Sequence, residues 1–82
     1  MTQSATKERL ARLVAESSDG AITEGQALAA GKPLSDLGLT SLARMRLIDA
    51  VEDEFDVEID LDGDGWALLD DLDALTAHLD AR

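Results

Sequence analysis

Apolar residues in this chain recur mainly at helical spacing. Leu10, Leu13 and Val14 stand at i, i+3 and i+4 while Lys7, Glu8, Arg9, Arg12 and Glu16 fall elsewhere, which predicts an amphipathic helix over about residues 5–16. Ser17-Ser18-Asp19-Gly20 ends it, with Gly20 able to take the positive φ that terminates helices. The strongest periodic stretch runs from Ser41 to Phe55, opening after Gly38 with Thr40 or Ser41 as the N-cap. At about 100° per residue, Leu47, Ile48, Val51 and Phe55 fall within roughly 100° of arc, the width of a core-facing stripe. Leu42 and Met45 fall on another face, among Arg46, Asp49, Glu52 and Asp53, beside Ser41 in the first turn. They either project to solvent or lie under the connection that precedes this helix.

That connection, about residues 17–39, is long for so small a chain, and such loops are often functional. Thr23-Glu24-Gly25-Gln26 has the T-x-x-Q form of a capping box, so a short helical turn through Ala30 fits before Gly31-Lys32-Pro33 breaks it. Leu34 and Leu37 are the bulky apolar residues available to pin the segment to a core. Beyond Phe55, apolar and acidic residues alternate, placing Val57, Ile59 and Leu61 on one side of an extended segment. After turns at Gly63 and Gly65, Trp66, Leu68 and Leu69 suggest a short helix. Asp70 or Asp71 then caps a last helix in which Leu72, Leu75 and Leu79 recur. The expectation is an all-α fold of three main helices plus one short one, a single domain over residues 1–82. Its core includes Leu10, Leu13, Leu37, Leu47, Ile48, Val51, Phe55, Ile59, Leu72, Leu75 and Leu79.

Composition agrees with that outline. A chain of 82 residues buries only about two thirds of its unfolded surface, which excludes two cores. One Trp, one Phe and no Tyr leave the apolar mass to Leu, Ala, Val and Ile, a helix-favouring set. No apolar run approaches the roughly 20 residues of a membrane span, and the N-terminus lacks the apolar stretch of a secretory signal, so a soluble cytoplasmic chain is expected. Without cysteine there is no disulfide, thiolate metal site or cysteine nucleophile, and any thiol chemistry must come from an attached group. Residues 1–48 are net +1 and residues 49–82 net −12, together the −11 of the whole chain. Such a field disfavours nucleic acid and anionic membranes and steers basic protein surfaces or cations.

Asp36-Leu37-Gly38-Leu39-Thr40-Ser41-Leu42, followed by Glu52-Asp53-Glu54-Phe55-Asp56-Val57-Glu58-Ile59, resembles the acyl carrier protein family, including the peptidyl carriers. The family pattern is D-L-G-x-D-S-L, a helix, then an acidic run ending in E-F-x-x-x-I, met here without a gap. The resemblance implies a four-helix carrier-protein bundle with a long connection between its first two main helices. It implies that Ser41 carries 4′-phosphopantetheine, transferred from coenzyme A by a separate magnesium-dependent phosphopantetheinyl transferase, and that the carrier, a monomer, catalyses nothing itself. The attached thiol holds acyl or aminoacyl groups as thioesters and presents them to loading, acyl-transfer and condensing enzymes. A serine in the first turn of a helix suits this, because free amides and the helix dipole there favour a phosphodiester. Partners would dock on Leu42 and Met45, with Asp49, Glu52 and Asp53 pairing transiently with their Lys and Arg. Thr40 departs from the family, which usually has an acid before its serine, and bears on transferase recognition. The expectation is a free-standing carrier, and Arg44 and Arg46, which depart from the more acidic helix start of fatty-acid carriers, point to a specialised-metabolite pathway, polyketide or nonribosomal peptide.

A second motif competes. Asp60-Leu61-Asp62-Gly63-Asp64-Gly65, continued to Asp71, meets the pattern of an EF-hand calcium loop, with Asp60, Asp62, Asp64 and Asp71 as carboxylate ligands and the Trp66 carbonyl between them. Asp rather than Glu at the last position, Ala67 and Leu68 inside the loop, and an extended lead-in argue against it. The pairing loop that EF-hands need would fall at Ala15–Gln26, where Ala15 and Gln26 stand in place of carboxylates. His78 has no second histidine or cysteine to make a metal site and reads as surface.

Overall fold

A computed structural model describes residues 5–29, 31–59 and 65–81. Helix α1 spans Ala5–Ser17, α2 Glu24–Ala29, α3 Ser41–Phe55, α4 Gly65–Leu68 and α5 Leu72–Asp80, with a 3-10 helix at Leu34–Leu37 between α2 and α3. Among the described residues there is no strand. Helix α1 is the centre of the bundle: it packs against α2, α3 and α5, and its Leu10, Ala11 and Val14 are fully buried.

Each boundary has a local cause. Asp19 (φ 55°) and Gly20 (φ 84°) both turn left-handed after α1, and the Gly20 N–H returns to the Ala15 carbonyl at 2.9 Å. At α2 the capping box forms in both directions. The Gln26 N–H donates to Thr23 Oγ1 (3.1 Å), and the Thr23 N–H donates to Gln26 Oε1 (2.9 Å). The turn expected through Ala30 is thus a true short helix. Together with α4 it makes two short helices against the one expected; Ala30 itself lies outside the described residues. At α5 the Asp71 carboxylate caps the Ala74 N–H at 3.1 Å.

The core follows the expected stripes with additions. Leu47 and Val51 are fully buried on α3, Ile48 nearly so, and Leu72, Leu75 and Leu79 close the bundle from α5. Phe55 is only half-buried because it sits at the rim, where the Arg9 guanidinium lies 4.4 Å from its ring centroid. Leu37 is likewise half-buried, whereas Leu34 of the same 3-10 helix and Ile22, Leu39 and Leu69 from turns and loops are buried. After α3, Asp56 turns left-handed (φ 54°), then Val57 and Ile59 face inward and Glu58 outward, as the alternation predicts; Leu61 lies outside the described residues. Among the described residues no helix is long and apolar enough to cross a membrane.

Candidate functional site

The start of α3 is set by three residues before it. Gly38 adopts φ 107°, a backbone region that strains any residue with a Cβ, and its N–H closes the preceding 3-10 helix onto Leu34 and Ser35. Leu39 is buried and anchors the chain. Thr40 is extended (φ −76°, ψ 167°), and its Oγ1 accepts the Ala43 N–H at 3.1 Å, so Thr40, not Ser41, is the N-cap.

Ser41 is thereby relieved of the capping role. It is exposed, and its hydroxyl has no hydrogen-bond partner among the described residues. No acidic residue stands in the first turn of α3, leaving the positive end of the helix uncompensated beside that hydroxyl. An anionic ester at Ser41 fits this environment: the oxygen is uncovered, and amides of the first turn are without intrahelical acceptors.

Beside it, Leu42 (60% exposed) and Met45 (58% exposed) are the large apolar side chains left in solvent among the described residues. The connection over residues 17–39 does not cover them. Asp49 and Asp53 continue the same ridge one and two turns on, both exposed. Glu52 differs from them. It is half-buried, and its Oε2 accepts the Ile59 N–H at 3.0 Å, so it holds the chain leaving α3. Of the two arginines, Arg46 is at the surface with Nη1 2.9 Å from Asp19 Oδ2, while Arg44 turns inward to Asp70, 3.2 Å away.

The family model for the phosphopantetheine attachment site matches residues 8–79. The chain belongs to that family of acyl and peptidyl carriers. Its prosthetic group is 4′-phosphopantetheine, and the helical bundle of this carrier is the domain that receives it. Neither the curated proteins nor the solved structures yielded a match.

Nothing adds weight to the calcium reading of the same carrier. Asp60, Asp62 and Asp64 lie outside the described residues. Asp71 is engaged as the α5 cap, and α4 occupies the stretch where the calcium loop would run. No group of three potential metal-binding side chains occurs among the described residues. His78 is exposed on the last turn of α5, as expected.

Proposed function

We propose that Ser41 is the residue of this carrier that bears the phosphopantetheine arm, and that the chain acts as a carrier rather than an enzyme. The observation that supports it is the exposed Ser41 hydroxyl at the first residue of α3, without a hydrogen-bond partner among the described residues and flanked by the exposed Leu42 and Met45. In the loading step, on a separate magnesium-dependent transferase, the bond from Ser41 Oγ to phosphorus forms as the pyrophosphate P–O bond of coenzyme A breaks. The hydroxyl proton goes to a base of the transferase, and the adenosine bisphosphate half departs. The arm supplies a thiol on which an acyl or aminoacyl group is held as a thioester.

What the chain itself contributes is presentation. Thr40 fixes the start of the helix without using the neighbouring hydroxyl, and the dipole of α3 favours the phosphodiester charge. Leu42 and Met45 form a small apolar patch for the transferase and for acyl- or aminoacyl-handling partners, with Asp49 and Asp53 as transient contacts for basic side chains. Glu52 acts in this scheme mainly by holding Ile59. Arg46 places positive charge on a surface that is more acidic in fatty-acid carriers, which favours a specialised-metabolite pathway. Intact mass after incubation with coenzyme A, magnesium and a broad-specificity transferase tests the assignment. The native chain gains one phosphopantetheine and Ser41→Ala gains none; equal gains in both would remove Ser41 from the scheme.

A further inference from the structure

Arg44 stands one turn beyond Ser41, and its side chain is 14% exposed. Its guanidinium lies over the Trp66 ring, 4.8 Å from the centroid, with Nη2 3.2 Å from Asp70 Oδ1. Asp70, in the turn between α4 and α5, also holds the 3-10 helix. Its Oδ1 accepts the Ser35 N–H at 2.7 Å, its Oδ2 accepts the Ser35 hydroxyl at 2.9 Å, and its backbone carbonyl accepts the Leu34 N–H at 2.8 Å. From there hydrogen bonds lead back to the serine. Gly38 N–H donates to Ser35 O and Leu39 N–H to Leu34 O, both at 3.2 Å, and Thr40 O accepts the Arg44 N–H at 2.9 Å. Segment 34–40 is therefore tied to Asp70 at one end and to α3 at the other, and Arg44 closes the ring.

Stability alone is a poor account of this ring. Among the described residues Arg44 Nε is buried without a hydrogen-bond partner, a costly state for a charged donor. Partly buried ion pairs are often replaceable by apolar side chains without loss. What the pair does fix is the placement of three sequence-distant segments, one of which ends at Ser41.

We propose that Arg44 and Asp70 are positioning residues for the loading of Ser41: they hold the approach segment so that Oγ meets the phosphorus in line, without touching coenzyme A. The inference rests on Ser41 being the loaded residue. Leu42 and Met45 belong to α3 itself, so loss of the pair leaves docking intact and slows turnover, because small misplacements of a reacting atom carry large rate penalties.

The test is steady-state transfer from coenzyme A to the full chain, with carrier concentration varied, for Arg44→Met, Asp70→Asn, the double variant and Arg44→Lys. Arg44→Met and Asp70→Asn each lower kcat about ten-fold with KM within about two-fold of native. The double variant falls no further than either single one, since either change removes the Arg44–Asp70 charge pair. Arg44→Lys regains part of the rate. The sole tryptophan, Trp66, changes its emission in Arg44→Met as the guanidinium leaves its face. Native kcat in folded Arg44→Met and Asp70→Asn, or a defect confined to KM, overturns the proposal. Should Arg44→Met not fold, Asp70→Asn decides alone, because it keeps its shape and an acceptor for Ser35. A native chain that gains no mass overturns the Ser41 assignment and this inference together; variants loaded at the native rate overturn this inference only.

Discussion

Thr40 and Ser41 carry adjacent hydroxyls at one helix end, and backbone geometry gives them different tasks. The Thr40 oxygen accepts the Ala43 amide; the Ser41 oxygen remains in solvent. Thr40→Ala should therefore cost about 1 kcal/mol in urea unfolding, and Thr40→Asp should recover it, with neither change abolishing the mass gain at Ser41. Gly38 belongs to the same device. An added Cβ would meet nothing within 4 Å, so Gly38→Ala isolates the backbone strain of φ 107°. A loss of about 1–2 kcal/mol by urea unfolding is expected, and an unchanged midpoint would contradict the strain argument.

At the scale of elements, the sequence makes the periodic parts plain. Helix α3 runs over the residues its spacing predicts, the T-x-x-Q box closes at α2, and Gly20 turns left-handed where α1 stops. Ile22 and Leu69 enter the core from turns between helices, where one apolar residue has no period to betray it, whereas Leu34, in the 3-10 helix, is one of the two leucines the sequence offers to pin that segment. The Arg44, Asp70 and Ser35 cluster is hidden for another reason. Its members are 26 and 35 positions apart, and one sequence carries no sign that such residues meet. In the sequence Arg44 and Arg46 are alike as positive charges near a helix start, and only Arg46 lies at the surface. The α1–α3 packing rests on apolar contact more than on the exposed bridges from Arg9 and Arg12 to Glu54. Leu47→Ala should destabilise by about 2–5 kcal/mol, whereas Arg12→Ala should change stability by less than about 1 kcal/mol, both read by urea unfolding.

For the molecule as a whole, the proposed scheme has the net charge of −11 steer encounter with basic partners and the exposed Leu42 and Met45 supply contact once they meet. The KM of the carrier for its transferase should rise several-fold between about 0.05 and 0.3 M salt. Replacing Asp49 and Asp53 by Asn should flatten that dependence. Leu42→Ala should raise KM at every salt concentration, and a KM insensitive to all of these changes would place docking elsewhere. The proposed carrier role depends on one covalent event at Ser41, the first residue of α3. Its most direct measurement is peptide mapping by mass spectrometry of the native chain after loading with coenzyme A and a transferase. A single phosphopantetheine on the peptide containing Ser41 is expected; modification on any other residue, or none, would contradict the assignment.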